Sequence, residues 1–186
     1  LEVCSWLGNN GFEISILPVD SNGKVSTEDF LRAIKPSTIL ASVMHSNNET
    51  GILQPIKELA AIAKLKGVVF HTDAAQSLGK VPVDVQDLGV DLLSVAGHKI
   101  YAPKGIGALY IRTGIVPEKI IHGASQERDL RAGTENVLEI AGLGKAFEIA
   151  KQKLPDNIEH FSKNRDLLFH LLQSEIKDLR VNGNIE

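Results

Sequence analysis

Short apolar segments alternate with segments of helical periodicity along this chain. Five segments are apolar or β-branched and are bounded by Gly, Asn or Pro, a pattern typical of β-strands: 12–17, 38–44, 68–74, 91–97 and 107–112. Helical patterns lie between several of them. Apolar strands separated by helices indicate a mostly parallel sheet, with room for mixed pairing, and helices on both faces. The pattern therefore predicts an α/β layered fold.

Two of the predicted helices carry recognisable end signals. Ser26 opens the helical pattern of residues 26–34, and Asp29 follows three residues later, which is the spacing of a capping box. The pattern of residues 55–67 has Pro55 in its first turn and Gly67 just past its end. We therefore expect helices between the first strands of the sheet.

The last third of the chain is predicted to be helical. One helix is expected from Thr134 to about Lys153, and a second after Pro155, which we interpret as the entry to a second lobe. The second helix carries an apolar stripe formed by Ile158, Phe161, Leu168, Leu172 and Leu179. We expect residues 1–153 to form the main domain and residues 154–186 a linker helix that begins another.

Composition narrows the class of protein. The 186 residues carry a formal charge of -3 and no dense basic cluster, which argues against nucleic acid or anionic lipid as a partner. A single cysteine excludes an internal disulfide, and no apolar stretch has the length of a membrane span. These features predict a soluble cytoplasmic protein. The chain lacks an initial methionine and stops at VNGNIE, so we expect both ends to be cuts in a longer protein.

Polar residues follow three of the predicted strands. Asn48 follows the second segment, Asp73 and Gln76 the third, and His98 and Lys99 the fourth. Each has a simpler explanation, as a turn, a helix cap or a solvated charge. Ligands of parallel sheets collect at the carboxyl ends of the strands, however, and these strands would bring an acid, amides, an imidazole and an amine to one edge. We therefore treat the set as a candidate site.

This combination of groups suits pyridoxal phosphate. An amine that forms a Schiff base is favoured by desolvation and a cationic neighbour, and Lys99 follows His98 in a glycine-flanked turn. A carboxylate such as Asp73 would hold the pyridinium nitrogen protonated, so that the ring withdraws electrons from a substrate carbanion. Gln76 and Asn48 can bond the phenolic oxygen, and His98 can donate to the phosphate.

Other chemistry finds little support in the sequence. The six histidines show no metal-ligand spacing and there is no cysteine cluster, so no metal site is expected. No glycine-rich segment fits a dinucleotide or Walker pattern. Cys4 falls on the predicted first helix, where we expect a small buried thiol rather than a reactive one.

Four motifs resemble one family of enzymes. In order, the segments NNETG, HTDAAQSLGKVPVD, DLLSVAGHKIYAPKGIGALYIR and QERDLRAGTEN are similar to cysteine desulfurases and the related selenocysteine lyases, which belong to the aspartate-aminotransferase-like, fold-type I enzymes that use pyridoxal phosphate. The resemblance covers residues 1 to about 153 and is weaker beyond. It implies that residues 1–153 are part of the large cofactor-binding domain and that residues 154–186 begin the small one.

The resemblance also implies roles for individual residues. Lys99 matches the lysine that forms the Schiff base, and Asp73 matches the partner of the pyridinium nitrogen. Gln76 and Asn48 match residues near the phenolic oxygen, and His98 matches a neighbour of the phosphate. Thr134 matches a residue that would reach the phosphate bound in the other subunit of a homodimer. That last role suits a residue at the start of a helix, where exposed N–H groups favour an anion. The charged residues Glu127, Arg128 and Arg131 would belong to the dimer edge.

The chain departs from the family pattern in three places. Ala96 stands where many members have a serine that contacts the phosphate, and Ser94 is not expected to replace it. The segment with a phosphate-binding turn and a ring-stacking histidine would precede residue 1. The sulfur-accepting cysteine and the arginine that binds the substrate carboxylate would lie beyond residue 186.

The predicted function is therefore part of a cysteine desulfurase, which converts L-cysteine to L-alanine and transfers the sulfur to a cysteine of the enzyme, for use in iron–sulfur cluster biosynthesis. This chain alone is expected to be inactive. Two alternatives remain at this stage. One is selenocysteine lyase, with L-selenocysteine as substrate, and the other is a non-catalytic module valued for dimerisation or partner binding.

Overall fold

A computed structural model of the chain describes residues 2–183. Within them, four strands form one sheet in chain order: β1 (Leu40–Met44), β2 (Val69–Asp73), β3 (Leu92–Ala96) and β4 (Gly107–Ile111). The first three strands are parallel, and β4 pairs with β3 in the antiparallel direction. The predicted α/β fold with a mostly parallel, mixed sheet is confirmed.

Helices connect and follow the strands. They are α1 (Glu2–Asn9), α2 (Thr27–Ala33), α3 (Ile56–Leu65), α4 (Val85–Leu88), α5 (Gln126–Asp129), α6 (Val137–Gln152) and α7 (Leu154–Glu175), with a 3-10 helix at Gly97–Ile100. The end signals at Ser26 and Gly67 are confirmed, whereas Pro55 is the N-cap of α3 and no bond from Asp29 back to the Ser26 N–H is found within residues 2–183. The Ser26 hydroxyl accepts from the backbone N–H groups of Glu28 and Asp29, and Gly67 follows α3 with a positive φ of 69°.

The hydrophobic core lies between one face of the sheet and helices α2 and α3. Alternate residues of a strand point to opposite faces, and Phe70 and Thr72 of β2 point inward with no exposed surface. The Phe70 ring packs edge-on against Phe30 of α2, with ring centroids 5.9 Å apart. This packing holds β2, and with it the strand end that carries Asp73, in the centre of the sheet.

The opposite face of the sheet is more open than we expected. Leu40 and Leu109, on the outer strands β1 and β4, are 50% and 49% exposed, and Met44 and Ser42 of β1 are exposed as well. Among the described residues the main core cluster involves the other face, which carries Phe70 and Leu93. Within residues 2–183 this face is therefore exposed over the outer strands, and the predicted fold class is confirmed.

Three details of the sequence-based prediction are wrong. Residues 12–17 form no strand, because their backbone pairs with no neighbouring strand among the described residues, and Ile16 is 70% exposed. Helix α6 begins at Val137 with Asn136 as its N-cap, so Thr134 precedes the helix rather than starting it. Helix α7 ends at Glu175, which leaves Leu179 outside the predicted stripe.

Pro155 lies in the first turn of α7, only three residues after α6 ends. Proline is tolerated there because the first N–H groups of a helix have no intrahelical acceptor. Asn157 then donates a side-chain hydrogen bond of 3.3 Å to the carbonyl of Gly79, which ties the start of α7 to the turn after β2. The division into domains at residues 153 and 154 stays a prediction.

Candidate functional site

The segments that follow β1, β2 and β3 begin side by side. Met44 and Asp73 are register partners, and the N–H of His45 donates to the Asp73 carbonyl at 2.8 Å. On the other side of β2, the N–H of Ala74 donates to the Ser94 carbonyl at 3.0 Å. Because the three strands are parallel, their carboxyl ends share one edge of the sheet. The segments that carry Asn48, Asp73 and Lys99 all leave from this edge.

Lys99 lies in the 3-10 helix that follows β3, and the glycine before it has a steric reason. A Cβ on Gly97 would lie 2.6 Å from the carbonyl oxygen of Ile106, the same oxygen that accepts the Gly97 N–H at 3.0 Å. Only glycine allows this approach of β3 to the segment entering β4. The turn ends at Tyr101, which has a φ of 64° and is almost fully exposed. The exposed Lys99 side chain is thus carried on a tightly constrained backbone.

Asp73 is exposed at the end of β2, and its carboxylate has a structural bond. Oδ1 accepts the N–H of Ala75 at 2.8 Å, which shapes the turn after the strand. The alternative explanation, that Asp73 caps the backbone N–H groups that follow it, is therefore partly right. No other hydrogen bond to this carboxylate is found within residues 2–183, so Oδ2 can bind a ligand. Gln76 lies three residues on, half-buried, with its amide equally unengaged in that range.

Asn48 lies in a turn that its neighbour organises. The side-chain oxygen of Asn47 accepts the N–H groups of Glu49 and Thr50, at 2.8 and 2.9 Å. Asn48 Nδ2 donates to Glu49 Oε1 at 2.9 Å. An amide has two N–H donors and one acceptor oxygen, so Asn48 keeps one donor and the oxygen for another group.

A buried hydrogen bond joins the segments after β1 and β2. His45 and Ser77 are both buried, and His45 Nδ1 lies 2.9 Å from Ser77 Oγ. The Ser77 hydroxyl donates to the Ala74 carbonyl at 3.3 Å, so Ser77 Oγ accepts the proton on His45 Nδ1. Burial disfavours the charged imidazole and lowers the pKa of His45 below 6.5. A neutral His45 thus helps to hold Asn48 and Gln76 on neighbouring segments.

We predict that the protein loses stability in mild acid. Burial lowers the pKa values of both His45 and His71, so the unfolded chain takes up these protons near pH 6.5 and the folded chain only at lower pH. The unfolded state then binds more protons, and the free energy of unfolding falls as the pH falls through 6.5. Urea unfolding at pH 7.5 and 5.5 would measure the loss.

The variant His45→Asn tests the origin of this loss. An asparagine amide places a donor near the position of Nδ1 but does not titrate, so the stability difference between pH 7.5 and 5.5 should shrink. His170→Asn, at an exposed position of α7, is the matched control and should leave the difference unchanged. A wild-type protein that is more stable at pH 5.5 than at pH 7.5 would contradict the prediction.

Lys99 also borders a cavity of about 150 Å³ on the side of α6 and α7. Its polar lining includes Lys80, Lys153 and Asn157, and its walls are apolar. Burial, and then the charge of Lys99, lower the pKa of Lys80. Neither Asp73, Gln76 nor Asn48 lines this cavity. Lys99 follows β3 and Asp73 ends the adjacent strand β2, and this cavity does not enclose both residues.

Thr134 lies in the segment between α5 and α6. It is exposed, and within residues 2–183 it makes no side-chain hydrogen bond. The short α5 before it is not a regular right-handed helix, because Glu127, Arg128 and Asp129 all have positive φ values between 49° and 65°, which strains the backbone. Asp129 is tied to Lys119 by an ion pair of 2.8 Å. The segment is exposed and charged, and the role of Thr134 toward a phosphate stays a prediction.

The sequence interpretation gave no role to three side chains on the open face of the sheet. Ser42, His71 and Ser94 form a hydrogen-bonded chain across β1, β2 and β3. The signal was available in outline, because His71 is two residues before Asp73 in a strand and so shares its face. The Ser94 hydroxyl lies 2.8 Å from His71 Nε2, and the expectation that it does not replace the serine absent at Ala96 stays a prediction. Cys4 is on α1 as predicted, but half-buried rather than buried.

Two further findings concern the described residues. Within residues 2–183 no group of three or more His, Cys, Asp or Glu side chains is placed to hold a metal ion. No helix in the same range combines the length and apolar character needed to cross a bilayer. The segments at the strand ends carry an amine, a carboxylate, amides and an imidazole.

Comparison with known proteins gives a consistent result. The family model described as aminotransferase class V matches residues 4–185. A cysteine desulfurase IscS of Dictyoglomus turgidum is 50% identical over 183 residues, which is 98% of this chain and 46% of that protein. The chain spans about half the length of the curated relatives it matches.

Solved structures agree with the sequence relatives. A protein described as NifS-like superimposes with a TM-score of 0.90 at 39% identity, over 93% of this chain and 48% of its own. A structure described as SspA in complex with cysteine has a TM-score of 0.77 at 43% identity, over 79% and 43% of the two chains. Both have the fold described above.

Proposed function

Because the chain belongs to the aminotransferase class V family, we propose that it supplies cofactor-binding residues of a pyridoxal phosphate-dependent cysteine desulfurase. The observation that carries the proposal is the placement of Asp73 and Lys99 at the carboxyl ends of adjacent parallel strands. In an open α/β sheet this edge is where ligands bind.

The residues present fit pyridoxal phosphate. The ligand offers an aldehyde, a ring nitrogen, a phenolic oxygen and a phosphate. Against these, the strand ends offer the amine of Lys99, one free carboxylate oxygen on Asp73 and the amides of Gln76 and Asn48. The imidazole of His98 adds a donor that makes no hydrogen bond elsewhere in residues 2–183. Lys99 likewise has no acidic partner within that range, so its amine is not held by an ion pair.

Each residue would then have one task. Lys99 would attach the cofactor and afterwards move protons at the substrate carbon. Asp73 Oδ2 would accept the ring N–H, Gln76 and Asn48 would orient the phenolic oxygen, and His98 would bind the phosphate. When bound, pyridoxal phosphate supplies an electron-withdrawing ring that stabilises negative charge on the substrate.

The substrate we propose is L-cysteine. The relatives described above are named cysteine desulfurase, and one solved structure is described as a complex with cysteine, which favours L-cysteine over L-selenocysteine. The products would be L-alanine and sulfur bound to an enzyme cysteine, available to iron–sulfur cluster biosynthesis. A homodimer in which Thr134 reaches the neighbouring phosphate, a sulfur-accepting protein and a cytoplasmic location belong to the same proposal.

Turnover assays test this function. A protein that contains this chain together with the remaining length of its relatives should form alanine and sulfide from L-cysteine in the presence of a thiol. A large preference for L-selenocysteine would overturn the substrate assignment. We expect the 186-residue chain alone to form no alanine, because its single cysteine lies on α1 rather than on the segments that carry Lys99 and Asp73. Alanine formed by this chain alone would contradict that expectation.

A further inference from the structure

A hydrogen-bonded chain crosses the open face of the sheet next to Asp73. His71 Nδ1 lies 2.8 Å from the hydroxyl of Ser42 on β1, and His71 Nε2 lies 2.8 Å from the hydroxyl of Ser94 on β3. Both ring nitrogens are therefore occupied, one on each side of β2. An imidazole bound at both nitrogens by groups of neighbouring strands has a fixed ring plane.

These hydrogen bonds lie beside the Asp73 carboxylate, which we propose binds the ring nitrogen of the cofactor. His71 and Asp73 are two residues apart on β2 and share a face, and Asp73 is the register partner of Ser94. The negative charge of Asp73 acts on the imidazole, since it raises the pKa of His71. Burial opposes it with the larger effect, so the pKa of His71 remains below 6.5 and the ring is neutral at neutral pH.

A neutral ring has a consequence for Asp73. A positive imidazolium at this position would offset the charge of the carboxylate and weaken its hold on a protonated ring nitrogen. A neutral imidazole leaves that charge uncompensated. Each serine hydroxyl is both donor and acceptor, so Ser42 and Ser94 can satisfy the neutral ring in either tautomer.

We propose that His71, held by Ser42 and Ser94, is a positioning residue that fixes Asp73 at the end of β2 and leaves its negative charge available to the cofactor nitrogen. This inference rests on the proposed function. His71 has no free ring nitrogen, so it does not itself bind the ligand. Its contribution passes through the carboxylate.

The first test needs no cofactor. In nuclear magnetic resonance titrations of the ring nitrogens, we expect His71 to be neutral at pH 7 and to protonate below pH 6.5. The variant Asp73→Asn should lower this midpoint further, because it removes the charge that raises the pKa. Asp84→Asn is the matched control, since Asp84 also accepts an i+2 N–H but caps α4 instead. If the titration midpoint of His71 is the same in Asp73→Asn and in wild type, the proposed coupling between His71 and Asp73 is wrong.

The second test separates positioning from general structural support. His71→Phe should weaken binding of pyridoxal phosphate about three- to tenfold in the wild-type background and have little effect in the Asp73→Asn background, because the residue acts through Asp73. The control His170→Phe should leave the binding of pyridoxal phosphate unchanged in both backgrounds. If His71→Phe causes the same loss of pyridoxal phosphate affinity in both backgrounds, His71 has only a structural role and the inference is wrong. Circular dichroism checks that each variant folds.

These outcomes distinguish the two proposals. If the wild-type protein fails to bind the cofactor, the proposed function is wrong. The comparison of the His71 titration in wild type and in Asp73→Asn still decides whether the two residues are coupled. If wild type binds and His71→Phe binds equally well, with the same absorbance spectrum from pH 6 to pH 9, the inference fails and the proposed function stands.

Discussion

Replacing Lys99 by alanine is expected to abolish covalent attachment of pyridoxal phosphate. The Lys99 amine is exposed, has no acidic partner within residues 2–183 and lies on the constrained 3-10 helix after β3. An alanine side chain has no nucleophile, so residue 99 can no longer attach the cofactor. Titration of the wild-type chain with pyridoxal phosphate should give the visible absorbance of the protein-bound cofactor, and Lys99→Ala should not.

Lys104→Ala is the control for this loss. Lys104 is an exposed lysine five residues later, in the loop before β4, and its removal should leave the absorbance unchanged. Reduction with borohydride followed by mass spectrometry would locate the attached cofactor on the peptide that contains Lys99. Attachment to another lysine would refute the assignment. A wild-type chain with no absorbance change would favour a non-catalytic module.

The second large effect is expected at Asp73. Asp73→Asn keeps an oxygen that can accept the N–H of Ala75, so the turn after β2 should survive, but the negative charge is lost. Hydrogen bonds to charged groups contribute about 1.5–3 kcal/mol, so pyridoxal phosphate should bind about ten- to a hundredfold more weakly. Fluorescence or absorbance titration would measure the dissociation constant.

The control for Asp73→Asn is Asp84→Asn. Asp84 Oδ1 accepts the N–H of Gln86 at 2.7 Å, much as Asp73 Oδ1 accepts that of Ala75. The two variants therefore remove the same charge and keep the same kind of turn. Only Asp73→Asn should weaken the binding of pyridoxal phosphate. Equal affinity in both would show that the Asp73 carboxylate does not contact the ring nitrogen.

The strands of the sheet were predictable because their segments are apolar or β-branched and are bounded by Gly, Asn or Pro. Four apolar segments became β1 to β4 within one or two residues of the predicted bounds. The failure at residues 12–17 has the same physical basis. A segment such as FEISIL has strand propensity, but a strand exists only where a neighbour supplies hydrogen bonds, and propensity cannot identify that neighbour.

The candidate site was predictable only in part. Residues at strand ends could be identified because a parallel sheet delivers them to one edge, and the structure places Asn48, Asp73 and Lys99 on segments that leave that edge. Their roles toward a cofactor stay predictions. The position of Thr134 could not be found from the helical pattern, because Asn136, two residues later, supplies the cap that starts α6.

The sequence alone determined the fold class, the strand ends and the chemistry offered there, because burial patterns, end signals and side-chain types are local properties of the chain. Only the tertiary structure decided which distant groups meet. Ser42, His71 and Ser94 are separated by more than twenty residues at each step and are joined only because β1, β2 and β3 pair in one register. The hydrogen bonds that hold His71 depend on that register, since a shift of one residue would turn His71 away from the face that carries Ser42 and Ser94.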